Sequence, residues 1–264
     1  MDESADAGLE RYQRQTAFAH LGVAGQKRLA GSTALIVGVG GLGSRTAELL
    51  ARAGVGRLRL VDADRVELVN LHRQGLYDES HAAAGKLKVE AAAERLKRIN
   101  SGVEIESVAQ RVDAGNIAAL ADGAGLILDG TDDFATRFLI NDYCVRAGVP
   151  WVLAGVVRCE AQTMTIVPGR TACLRCVLDA PPPREIDPRC NTVGVLGPAV
   201  AAVAAIQANE AIKVLAGRLE AVSPYLLKLD LWTNTVQRID TAAAREQVDC
   251  VCCKQGRYDY LKAP

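Results

Sequence analysis

The sequence has no net charge: Lys and Arg number 31, and Asp and Glu also number 31, among 264 residues. That balance excludes the basic excess of a general nucleic-acid binder, although it leaves room for a local patch. No apolar run reaches the roughly 18 residues needed to cross a bilayer, so no membrane association is expected. The first thirty residues carry Arg, Gln, Asp and Glu without the apolar stretch of a secretory signal, and the expected compartment is the cytoplasm. Histidine is scarce, and His20, His72 and His81 show no triad or ligand spacing, so no chemistry is assigned to them. Cysteine is missing from the first 143 residues, and all eight follow, four of them in two Cys-x-x-Cys pairs. Without an export signal, that placement reads as metal ligation or thiol chemistry before disulfide stapling. No internal repeat is visible. The hydrophobic share of 49% and charged share of 23% are those of an ordinary globular protein, long enough for one large core.

What is present alternates. The apolar run Thr33–Val37 suits a strand buried on both faces. Gly38–Gly43 breaks it, Ser44–Ala53 continues with helical spacing, and Arg57–Asp62 reads as the next strand, closing a βαβ unit. Further on, Ala82–Ile99 is expected as one amphipathic helix, Val103–Val108 as a strand, Asn116–Ala121 as a helix and Gly125–Asp129 as a buried strand. Phe134–Ala147 should be helical and Trp151–Val157 a strand. Such alternation predicts an α/β fold with a Rossmann-like, doubly wound, mainly parallel sheet. Beyond residue 158, Gln162–Val167, Tyr225–Leu231 and Thr235–Ile239 look like antiparallel additions. The proline-rich stretch Pro181–Pro188 excludes helix or central strand, and Val195–Leu215 should be a long buried helix. A single domain is expected over 1–264, with a nucleotide-binding half at about 1–157 and a later part at about 158–264.

Gly38, Gly40 and Gly43 fit the G-x-G-x-x-G pattern between strand and helix, where bare backbone and helix N–H groups can receive a phosphate. Asp62, at the end of the second strand, is placed to bind ribose hydroxyls. The pattern suits NAD as well as ATP. The following loop is less generic, with Asp62-x-Asp64, Asn70-x-x-Arg73 and Lys88 just past the carboxyl end of that strand. Arg73 with Lys86 or Lys88 can neutralise a triphosphate, which NAD does not require; a solvated, charge-mixed loop is the plain alternative. Asp132 and Asp133, after the Asp129 strand, offer oxygen ligands to Mg²⁺, while Asp133 equally suits the first turn of the Phe134 helix.

Cys173-x-x-Cys176 and Cys250-x-x-Cys253 together supply four thiolates, enough for a closed, structural Zn²⁺ site. Cys252 is spare, and Cys144 reads as a buried helix residue. Cys190 follows Arg189 before the long helix, a setting that can lower a thiol pKa and make a nucleophile, with an inert loop cysteine as the alternative.

These elements together resemble the ThiF/MoeB/HesA family, bacterial relatives of ubiquitin-activating enzymes. The matching residues are Arg11-Tyr12-x-Arg14-Gln15, Gly38-x-Gly40-Gly41-Leu42-Gly43, Asp62-x-Asp64, Asn70-Leu71-x-Arg73-Gln74 and Gly85-x-x-Lys88-Val89-Glu90. Asp129-x-Thr131-Asp132, Arg158-x-Glu160-x-Gln162, both cysteine pairs and Gly194–Pro198 follow in order. The resemblance implies ATP-dependent adenylylation of the C-terminal glycine of a small ubiquitin-like sulfur carrier that ends in Gly-Gly. It also implies a homodimer in which Arg14 reaches the neighbouring subunit's phosphates. Asp62 would bind ribose, Asn70, Arg73 and Lys88 the phosphates, and Asp132 the Mg²⁺. Asp133 departs from the family's usual Asn, and Lys86 competes with Lys88 for the phosphates. Cys190 resembles the ThiF branch, where this cysteine passes activated carrier or sulfur onward, with a separate sulfur donor of cysteine desulfurase or rhodanese type. Thiamine and molybdopterin synthesis are the implied pathways. A nicotinamide oxidoreductase and a carrier-binding zinc protein without catalysis are the competing readings.

Overall fold

A computed structural model describes residues 8–183 and 193–262. Its helices are α1 (Gln13–Thr16), α2 (Gly22–Ala30), α3 (Gly41–Ala53), α4 (Glu79–Ala83), α5 (Lys88–Ile99), α6 (Ile117–Leu120), α7 (Phe134–Ala147), α8 (Leu174–Val177), α9 (Gly197–Leu215) and α10 (Ala242–Gln247). Eight strands form one sheet: β1 (Thr33–Val37), β2 (Arg57–Val61), β3 (Glu104–Val108), β4 (Leu126–Asp129), β5 (Trp151–Val157), β6 (Glu160–Ile166), β7 (Tyr225–Asp230) and β8 (Thr235–Asp240). They lie in the order β3-β2-β1-β4-β5-β6-β7-β8. β3 through β5 are parallel, and β6, β7 and β8 extend the sheet antiparallel.

Side-chain alternation in the central strands explains the two-sided wrapping. Ala34, Ile36, Leu58, Leu60, Leu126 and Leu128 enter one core, with apolar residues of α2, α3, α5 and α9. Leu35, Val37, Ile127, Trp151 and Leu153 enter the other, with α7 residues and the paired cysteines. Apart from Thr33, Arg57, Arg59 and the terminal Asp129, the residues of β1, β2, β4 and β5 are apolar, as a parallel sheet covered on both faces requires.

Strand order reverses between β1 and β4, so the crevice beyond their carboxyl ends is the topological switch point, where open α/β sheets bind ligands. β4 and β5 also part early: their register runs only through Ile127↔Trp151 and Leu128↔Val152. Two side chains close the gap. Gln207 of α9 donates Nε2 to the Asp129 and Val152 carbonyls, at 2.8 and 3.0 Å, while accepting from Thr46 Oγ1 at 2.7 Å. Arg137 of α7 takes the Ala154 carbonyl at 3.2 Å.

Four elements depart from the sequence reading by two residues or more, and the first, α3, starts at Gly41, three residues before the expected Ser44. The expected helix Ala82–Ile99 is two helices, α4 and α5, separated at Gly85, whose φ of +56° is left-handed. Residues 86–88 instead pair with the loop after β2, through Val66 N–H to the Lys86 carbonyl and Lys88 N–H to the Asp64 carbonyl. α9 begins at Gly197, because Val195 bridges Arg158 of the β5–β6 turn. β6 starts two residues before the expected Gln162. α9 is the helix among the described residues long and apolar enough to cross a membrane. Here it packs between α3 and the sheet, with Gln207 and Glu210 buried.

Candidate active site

The glycine loop is shaped by what it must pass. Gly38 leaves β1 at φ +81°, and a Cβ there would meet the Gly130 carbonyl oxygen at 2.9 Å. Gly43 presses on Gly38 so closely that any side chain would enter the Gly38 carbonyl. Together they bring the start of α3 against the β4 loop. The Gly40 cap of α3 carries no side-chain hydrogen bond, so the first turn faces the crevice with its backbone. Asp62 clamps this arrangement: Oδ2 accepts from Val39 N–H at 2.7 Å and Oδ1 from Asp64 N–H at 2.8 Å. Tyr77 donates to the Val39 carbonyl at 2.6 Å from a hydroxyl whose pKa burial, and then Asp62, holds well above its usual value.

A cavity of about 490 Å³ opens over this loop. Gly38, Gly40, Gly41, Asp62, Asp64, Asn70, Arg73, Lys88, Asp132 and Asp133 all line it. Gly43 lies beneath and shapes it by contact. Lys88 reaches the cavity because α5 starts there. Its ammonium is nearly buried and pairs with Asp64 Oδ2 at 3.0 Å. Lys86 turns away to Glu94, so the two lysines are separated by place. Arg73 is braced by Asn70 Oδ1 at 2.8 Å and by the His72 ring at 2.9 Å. Asp133 lines the cavity, but its Oδ2 accepts from both Thr136 N–H and Oγ1 at 2.8 Å, which makes it the N-cap of α7. Asp132 next to it is exposed at the cavity edge.

A second cavity, about 670 Å³, adjoins the first and shares Asp132, Arg137 and Val156 with it. Arg158, Glu160, Gln162, Lys228 and Gln237 line its far part on the antiparallel strands β6 to β8. The region is mixed in charge and lies along β5 to β8. Sequence reasoning missed three lining residues. Arg111, beyond β3, sits 3.3 Å from Asp64 and was legible by the same strand-end rule that found Asp62. Gln110 beside it is the second. Arg137, the third, lies one turn into α7, and no spacing signalled that it reaches back to β4.

Arg14 lies exposed in α1 and lines neither cavity of this chain. Cys190 falls outside the described residues.

The four paired cysteines do come together. Cys173 precedes α8, with Cys176 one turn on; Cys250 opens a tight turn whose Lys254 N–H returns to its carbonyl. Sulfur separations are 3.8 Å for Cys173–Cys176, 3.6 Å for Cys173–Cys250 and 3.5 Å for Cys176–Cys253. Bonds of about 2.3 Å to a tetrahedral zinc place sulfurs about 3.8 Å apart, so the donor set fits that ion. Burial and the neighbouring thiols push Cys253 up to about 12, the crowding that a divalent cation relieves. Cys252 stays outside the set and accepts from Asn141 Nδ2 at 3.4 Å. Cys144 is buried in α7, and burial raises its thiol well above the ordinary value.

Comparison with known proteins gives consistent relatives. The ThiF family model matches residues 12–253. The sulfur carrier protein ThiS adenylyltransferase of Bacillus subtilis is 40% identical over 251 residues, covering 95% of this chain and 73% of that protein. The SAMP-activating enzyme E1 of Haloferax volcanii is 38% identical, with 96% and 92% covered. The adenylyltransferase and sulfurtransferase MOCS3 of Sus scrofa is 43% identical across 92% of this chain, which spans only 52% of that relative. A solved structure of E. coli MccB with ATP superposes with a TM-score of 0.76 at 24% identity, covering 92% of this chain and 74% of that one. At that identity the likeness is one of fold.

Proposed function

This chain belongs to the ThiF family, and from that premise we propose that it adenylylates the C-terminal glycine of a small ubiquitin-like sulfur carrier, ThiS- or MoaD-like, with ATP. Family membership sets aside the nicotinamide oxidoreductase. The adenylyltransferase names of its relatives speak against a zinc protein without catalysis. The observation that carries the reading is the pair of cavities with a common wall: one lined by cations and a glycine loop, the other by open β-sheet.

In the reaction, a carboxylate oxygen of the tail attacks the α-phosphorus. The bond from that phosphorus to the bridging oxygen breaks, leaving acyl-adenylate and pyrophosphate. Two anions must be brought together, so the chain's part is alignment and charge stabilisation. The glycine loop and the start of α3 receive phosphate oxygens, and Asp62 receives the ribose. Asn70 holds Arg73 toward the phosphates, and Lys88 exchanges part of its contact with Asp64 for them. Asp132, an exposed carboxylate at the junction, offers the hard oxygen ligand that Mg²⁺ takes; with the nucleotide, that ion would draw charge from the phosphate oxygens. Arg14 would act from the neighbouring subunit of a homodimer. The zinc knot would brace the fold, and Cys190 would take activated product or sulfur onward from a separate donor. We read residues 1–264 as one adenylation domain acting in the cytoplasm, in thiamine or molybdopterin synthesis.

Carrier-dependent exchange of labelled pyrophosphate into ATP tests this. Exchange should require a carrier ending in Gly-Gly. Background exchange with ThiS- and MoaD-type carriers alike, together with tight NADH binding, would refute it.

A further inference from the structure

We propose that Arg137 is a positioning residue for the adenylation step, setting where the carrier's carboxylate meets the α-phosphorus. This rests on the function proposed above and adds a residue that the family motifs used here do not assign.

Four observations carry it. Arg137 is buried and belongs to the wall shared by both cavities, with Asp132 and Val156. Its guanidinium ties separate segments: Nε donates to Asp129 Oδ2 at 2.9 Å, and Nη2 to the Thr131 and Ala154 carbonyls at 2.8 and 3.2 Å. Thr131 precedes Asp132, and its N–H and hydroxyl are held by Asp129 Oδ1 at 2.8 and 2.6 Å, so the same buried pair shapes the turn that presents Asp132. Finally, Gly155, on the floor of the second cavity, leaves room for the guanidinium: a Cβ there would lie 3.2 Å from Nη2 and 3.4 Å from Nη1.

β4 and β5 stop pairing after Val152; Gln207 bridges the Asp129 and Val152 carbonyls, and Arg137 joins Asp129 to Ala154 further along β5. The nucleotide side of the wall hangs on β4 and the tail side on β5. A planar fork of fixed donors holds both in one geometry, whereas the rotatable donors of an ammonium on a flexible stem do not fix their directions. Since a misplacement of about 1 Å can lower a rate about 100-fold, a loosened join should reach kcat before it reaches nucleotide binding.

The test is Arg137→Lys in the full chain, assayed by pyrophosphate exchange with the carrier giving the parent its highest rate. The variant keeps a cation beside Asp129. The expected result is kcat lowered about 100-fold, KM for ATP within about twofold and unchanged metal content, with a melting temperature lowered by a few degrees as the buried Thr131 and Ala154 carbonyls lose a donor. A variant matching the parent in kcat, or losing only ATP affinity, overturns the proposal. Should Arg137→Lys fail to fold, Gly155→Ala presses on the guanidinium from the cavity side and leaves every hydrogen-bonding group in place. Its kcat should fall severalfold, and an unchanged kcat is the contrary result. A parent with no exchange on any carrier refutes the function and this inference together, whereas an active parent with an equally active variant refutes only this one.

Discussion

Lys86 and Lys88 are two residues apart, yet only one faces the crevice, and this gives a direct prediction. Lys88→Ala should lower kcat/KM for exchange at least about 100-fold, since a buried cation beside the phosphates stabilises charge with little reorganisation. Lys86→Ala removes an outward contact to Glu94 and should leave the rate within about twofold. Asp133 supplies a second case. Its carboxylate caps α7, so Asp133→Ala should cost about 1 kcal/mol in denaturant unfolding, and Asp133→Asn much less, because Asn caps nearly as well. A large activity loss in the Asn variant at full stability would return Asp133 to the chemistry. At Gly43 any side chain collides with the Gly38 carbonyl; Gly43→Ala should destabilise by about 1–3 kcal/mol and abolish nucleotide binding, read by thermal shift with and without ATP.

At the scale of elements, the cysteine knot joins α8 to the turn at Cys250–Cys253, which the chain reaches some seventy residues later. Arg175 of α8 reinforces the join, lying 3.6 Å from the buried Asp142 of α7 and 3.4 Å from Asp259. One zinc per chain is expected by elemental analysis, and Cys173→Ser should release it and lower the melting temperature; unchanged metal content would remove the assignment. β1, β4 and β5 were legible in the sequence because burial on both faces demands largely apolar runs, and β2 by the alternation of Leu58 and Leu60 with Arg57 and Arg59. The break between α4 and α5 was not. Hydrophobic spacing continues across it, and what interrupts the helix is the left-handed Gly85 and pairing with a loop twenty residues away. Strand order, and the closure of the β4–β5 gap by Gln207 and Arg137, depend on contacts across the whole chain that no local pattern encodes. In the site, residues at strand ends and in the glycine loop were legible from motif spacing. Arg137 was not, because its partners lie on β4, its loop and β5.

For the whole molecule, the order β3-β2-β1-β4-β5-β6-β7-β8 puts the glycine-loop crevice at the switch point and the antiparallel extension beside it. One sheet thus carries two adjoining cavities, with Arg73 and Lys88 in the first and the part of β5 beyond its pairing with β4 beside the second. Arg14 lines neither cavity, and under the proposed homodimer a second copy brings it to the crevice; mixing Arg14→Ala with Lys88→Ala chains should then restore exchange above either variant alone. The most direct test of the account remains the exchange of labelled pyrophosphate into ATP with and without a carrier ending in Gly-Gly. The account predicts exchange only with the carrier, lost when its terminal glycine is removed. Exchange that ignores the carrier, or none with any carrier of this class, would contradict it.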